Sequence, residues 1–150
     1  MNFNIELHKG IGNIRFGMSL AEVKKVLLDN SPAGKSCPMD EEDSEDALGN
    51  KETVLEYVID DDCFVNLQFH FSKTTDRLIN ICAVGDGVTL FGEEMLDLET
   101  EDLESLLEEN GLDDVEKEQE PWGDTSFVSE KGNIDIFCDE DGISEISFGE

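Results

Sequence analysis

The stretch Phe64-Val65-Asn66-Leu67-Gln68-Phe69-His70-Phe71 changes character at every step from Val65 onward. Val65, Leu67, Phe69 and Phe71 fall on one side of a pleated strand, and Asn66, Gln68 and His70 on the other. A period of two over this length predicts an antiparallel strand with one face on a core and one face polar. Working outward, the runs from Val54 to Asp60 and from Leu78 to Val84 read as its neighbours. Further on, Ile134, Ile136 and Cys138 alternate with Asn133, Asp135 and Phe137. Asp139-Glu140-Asp141-Gly142 then turns the chain into Ile143 to Phe148, which is a hairpin signal. Ser126 to Ser129 supplies a third strand there.

A helix precedes each group of strands. Ser19-Leu20-Ala21-Glu22 is a capping box, and Leu20, Val23, Val26 and Leu27 recur at helical spacing behind it. Lys24 and Lys25 occupy its other face. A second helix starts near Thr100 with Leu103, Leu106 and Leu107 as its apolar stripe, and Gly111 suits a left-handed closing position. Its outer face carries Glu101, Asp102, Glu104 and Glu108, so it is acidic where the first is basic.

Gly12-Asn13-Ile14-Arg15-Phe16-Gly17 opens the first half and Gly87-Val88-Thr89-Leu90-Phe91-Gly92 opens the second. Their similarity suggests duplication. The expected architecture is a single α+β domain over 1–150. It has two tandem helix-plus-antiparallel-meander repeats, 1–86 and 87–150, with the helices packed on one face of the sheet. Ser31 to Lys51, with two prolines and the acidic run Asp40 to Asp46, reads as a mobile loop between helix and strands. Asp113 to Gly123 is the matching irregular segment in the second half.

Ten Lys and Arg stand against 38 Asp and Glu in 150 residues, a formal net charge of -28. Such a surplus repels itself and keeps a chain in solution. It also excludes direct binding to nucleic acid or anionic membrane, both of which require basic side chains. Nine Phe and a hydrophobic share of 38% still supply a core, so acidity does not imply disorder. The opening residues lack the basic start and apolar run of a secretion signal, and no stretch nears a membrane span, so the expected location is cytoplasmic. Cys37, Cys63, Cys82 and Cys138 show no paired spacing and read as free thiols, with Cys82 and Cys138 packed in the core.

Catalytic signatures are scarce. His8 and His70 are the two histidines, and His70 reads as a solvated or hydrogen-bonded strand residue with no cysteine or serine motif assigned to it. A calcium loop fails on register: with Gly142 at the sixth position, Phe137 and Phe148 would fall on ligand positions. The expectation is therefore a binding protein, without enzyme activity, cofactor or metal. The carboxylate groups are the positive signal, since dense fields of one sign accelerate encounter with a basic partner. Candidate contacts are Glu101, Asp102, Glu104 and Glu108 on the second helix, then Asp60, Asp61 and Asp62 at a strand end. Trp122 is the candidate anchor, against the alternative that it caps the core. The polar sheet face with Glu56, Asn66, Gln68, His70 and Asp135 is a further surface.

The run Phe16-Gly17-Met18-Ser19-Leu20-Ala21-Glu22-Val23, with the helix and meander after it, is similar to the tandem-repeat beta-lactamase inhibitor protein family and its related outer-membrane assembly lipoproteins. In size, acidity and lack of catalytic groups the chain also resembles cytoplasmic immunity proteins of bacterial polymorphic toxin and contact-dependent growth inhibition systems. That resemblance implies neutralisation of a basic cognate toxin, frequently a nuclease. The alternatives are an acidic DNA mimic that blocks a nucleic-acid-binding protein, or a halophilic accessory domain whose acidity is a solvent adaptation.

Overall fold

The computed structural model describes residues 3–30, 39–45, 47–60 and 64–150. The first half runs β1 (Phe3–Glu6), β2 (Gly10–Ile11), β3 (Ile14–Arg15), α1 (Leu20–Asp29), β4 (Met39–Glu45), β5 (Lys51–Asp60), β6 (Phe64–Ser72) and β7 (Arg77–Gly85). The second runs β8 (Val88–Leu90), β9 (Glu93–Glu94), a 3-10 turn over Met95–Asp97, α2 (Thr100–Glu109), β10 (Glu116–Gln119), β11 (Thr125–Ser129), β12 (Ile134–Asp139) and β13 (Gly142–Gly149).

Eight antiparallel strands form the large sheet in the order β10-β11-β12-β13-β7-β6-β5-β4. The expected strands all lie in it, most a residue or more longer than their periodicity marked. A second sheet of five strands has the order β3-β2-β1-β8-β9, and its β1–β8 pair is parallel, with Phe3 opposite Val88 and Ile5 opposite Leu90.

The α+β expectation is corrected by this content. Strand accounts for 52% of the described residues and helix for 17%, so the molecule is mainly β and not a helix-packed tandem-repeat fold. The two glycine-bounded openers, which open the two halves ahead of the helices, supply β3 and β8 of the second sheet. Strands of two to four residues carry no readable period, which is why the helical stripes looked dominant. Two further corrections follow the same logic. The segment expected as a mobile loop contains β4, paired with β5 along its full length, and the irregular 113–123 segment contains β10. Both are polar edge strands, exposed on nearly every residue, so neither shows alternation.

One cluster of buried apolar side chains joins both sheets and both helices. Leu67, Phe69, Ile81, Ile136 and Ile146 come from the large sheet, Ile11 and Leu90 from the small one, Val23 and Leu27 from α1, and Leu103 and Leu107 from α2. Ser19 caps α1 as its sequence foretold, its Oγ accepting from the Glu22 amide at 3.2 Å. Glu22 answers through its carboxylate to the Ser19 hydroxyl, at 3.2 Å. Gly111, at φ 91°, closes α2, and the Leu112 amide turns back to Leu107 O at 3.0 Å.

Gly85 ends β7 close against the backbone of β6. At φ 126° any Cβ would lie 2.1 Å from Phe64 O. Its neighbour Asp86 closes the turn by accepting from the Phe64 amide at 2.9 Å. Among the described residues no helix is long and apolar enough to cross a membrane.

Candidate functional site

Because the core lies on one side of the large sheet, the period-two pattern leaves the other side uncovered by either helix stripe. Register makes that side continuous. Asp40, Glu56, Gln68, Cys82, Ser147, Asp135, Val128 and Glu116 stand opposite one another, one from each strand, in a row that crosses the whole sheet. Flanking positions add Glu42, Glu52, Glu145 and Glu118 to the same side. The basic groups that register places there are His70 and, at the end of β7, Arg77. Phe64 and Phe137 interrupt the polar surface with rings 45% and 40% exposed.

The electrostatics of this face are those of crowded carboxylates. Burial, reinforced by the neighbouring Glu118 charge, raises the Asp135 carboxyl above the usual range. At the centre, His70 Nδ1 meets Glu52 Oε2 at 3.0 Å, and His70 Nε2 faces Cys82 Sγ at 3.8 Å. The Cys82 thiol donates to Ser147 Oγ at 3.6 Å, and Asn80 Nδ2 donates to the same hydroxyl at 3.3 Å.

Glu52, His70 and Cys82 thus follow the order of an orienting acid, a base and a thiol. The thiol itself is unsuited to attack. Burial pushes it up to about 11, Ser147 only partly opposes that, and the charges of Glu145 and Glu52 raise it further. A thiol held neutral at pH 7 chiefly by burial, with neighbouring carboxylates adding to the effect, is a poor nucleophile. The arrangement is a hydrogen-bonded network across the floor of the face.

Cys82 therefore corrects one expectation: it lies half-buried on the open side and not in the core, whereas Cys138 is buried. The apolar run Ile79 to Val84 hid this, because Val84 also points to the open side, opposite Asn66. His70 is a hydrogen-bonded strand residue, as read from its position. The link to Cys82 was invisible in sequence because it depends on the β6–β7 register.

Two hollows share Gln68. One, of about 80 Å³, is lined by Asp40, Glu42, Val54, Glu56 and Gln68. The other, of about 330 Å³, is lined by Phe64, Asn66, Gln68, Cys82, Val84, Ser144 and Glu145.

The remaining candidate contacts sit elsewhere. Glu101, Asp102, Glu104 and Glu108 are exposed on α2. Trp122 is 72% exposed in the turn between β10 and β11, so it does not cap the core, and its Nε1 donates to Asp124 Oδ2 at 2.8 Å. A hollow of about 320 Å³ joins Trp122 and Asp124 to the β12–β13 turn. Glu101 borders the adjoining hollow, of about 490 Å³, on the other side of that turn. Glu104 and Glu108 line neither. Asp60 ends β5 opposite Phe64, and Asp61 and Asp62 lie outside the described residues. Sequence reading missed Glu52 and Glu145 on the open face, and placed Asp40 and Glu42 in a loop. For Glu145 the signal was the alternation of Ile146 and Phe148, broken by a bulge at Phe137–Cys138.

No family model matches this chain, no curated protein matches its sequence, and no solved structure matches its fold.

Proposed function

We propose that the chain is a stoichiometric binding protein of the immunity type, whose open sheet face seats a basic partner protein such as a nuclease toxin. The observation that supports this is the row of side chains across all eight strands, flanked by carboxylates and almost free of basic groups. A rigid sheet holds these groups in place before the partner arrives, which lowers the ordering cost of binding. The rings of Phe64 and Phe137 supply apolar area that charge alone lacks. The α2 carboxylates Glu101, Asp102, Glu104 and Glu108, with Asp60, Asp61 and Asp62, act at longer range as a steering field, and Trp122 is a candidate apolar anchor outside the seat.

The test is a pulldown from lysate at low and high salt with wild-type protein and with Glu56→Lys/Glu145→Lys, followed by titration of any retained protein. One basic protein, bound one to one at high salt and released by the double variant, is the expected result. Reversal should weaken binding by about 2–5 kcal/mol where a pair is buried. A spread of basic proteins, lost equally from both baits as salt rises, would sink the reading.

A further inference from the structure

The two hollows on the open face differ in chemistry, and the difference specifies what a partner must present. The smaller is walled by Asp40, Glu42 and Glu56 from two adjacent strands, with Val54 on its side and no basic residue in its lining. Gln68 Nε2 donates to Glu56 Oε2 at 3.2 Å and so fixes one wall. A compact metal ion would need converging donors, and no group of three His, Cys, Asp or Glu among the described residues is arranged to hold one. The lining suits instead a cation carried on a flexible stem, which brings apolar methylenes to Val54 and its charge to the carboxylates.

The larger hollow has Phe64 and Val84 in its lining, together with the neutral Cys82 thiol. Asn66, Gln68 and Ser144 supply neutral polar groups, and Glu145 is the one Asp or Glu of the lining. Such a lining receives an apolar side chain whose backbone hydrogen-bonds at the rim. Gln68 borders both hollows, so they are neighbours on the face. Together they reach from β4 and β5 across β6 to β7 and β13, with centres about two strand spacings apart across the sheet and nearly three residues apart along it, roughly 13 Å.

Resting on the reading of this face as the partner's seat, we propose that the partner is gripped at two points: a lysine or arginine side chain between Asp40, Glu42 and Glu56, and an apolar side chain roughly 13 Å away beside Phe64, Cys82 and Val84. The charge complementarity of the first hollow fixes which end of the partner goes where. This is bipartite recognition, and it excludes partners that are merely basic.

The experiment selects short random peptides displayed on phage against the full-length protein, then measures the enriched peptides on variants whose folding is verified by circular dichroism and melting temperature. Glu42→Gln/Glu56→Gln empties the charge of the first hollow, Ser144→Trp fills the second, and Asp135→Lys alters the face outside both. The expected peptides pair a basic with an aliphatic or aromatic residue, and each hollow variant weakens them about tenfold. Binding should also slow alkylation of Cys82. If Asp135→Lys weakens the peptides and both hollow variants bind as wild type, the two-point grip is wrong and the face remains the seat. If none of the three variants matters, or nothing is enriched, both the grip and the seat are overturned.

Discussion

Single residues show where the backbone or a charge has no freedom. Gly85 combines a left-handed φ with a carbonyl 2.1 Å from where Cβ would stand. Gly85→Ala must therefore move β6 or β7, at a cost of about 3 kcal/mol, read as a lowered midpoint in urea denaturation. Asp135 is a different case, because its carboxyl is raised by burial and by Glu118. Its native form holds the proton more tightly than the unfolded chain does. Its contribution to stability is then fully present below the ordinary aspartate range and is lost as pH rises through the raised native value. Asp135→Asn should melt above wild type at pH 7, and the gap should close by about pH 3. No change in melting at pH 7 would contradict the crowding of charge on this face. The same substitution removes a carboxylate from the proposed seat, so here stability and binding pull in opposite directions.

At the scale of elements, the two helices are ended differently. α1 has a side-chain N-cap, and Ser19→Ala should cost about 1 kcal/mol. α2 begins at Glu99 with no side-chain cap bond, and Glu99→Ser should stabilise by a similar amount, about 0.5–1 kcal/mol. Thermal melts of the two variants should move in opposite directions. The helices and the central strands were readable because their signals are local. A capping box spans four residues, and β6 alternates over its whole length. What escaped reading depends on long-range pairing: β1 finds β8 across most of the chain, and β4 and β10 are edge strands whose side chains face solvent on both sides. The open face was partly legible, as Glu56, Asn66, Gln68, His70 and Asp135. Its assembly with Glu52, Cys82, Glu145 and Ser147 came from register alone. The helix-first view of the fold failed for the same reason: short strands declare themselves only through partners.

For the molecule as a whole, a net charge of -28 sets two opposite responses to salt. Folding compresses like charges, so the melting temperature should rise as sodium chloride is added, most steeply at low ionic strength where the Debye length is longest. Association with a basic partner should weaken over the same range. Parallel titrations by scanning calorimetry and by binding should cross, and a melting temperature indifferent to salt would show that the carboxylates do not strain the native state.

The pairing of β7 with β13 carries a consequence for how the chain is made. On a ribosome, Arg77–Gly85 emerges early and Gly142–Gly149 late, yet they lie side by side in the middle of the large sheet. Until the later strand is translated, β7 is an unprotected edge with core side chains such as Ile81 and Ala83 along it. Neighbouring nascent chains on one message present the same edge. The longer the chain takes through 86–141, the longer that edge stays open to such neighbours before β13 can close it.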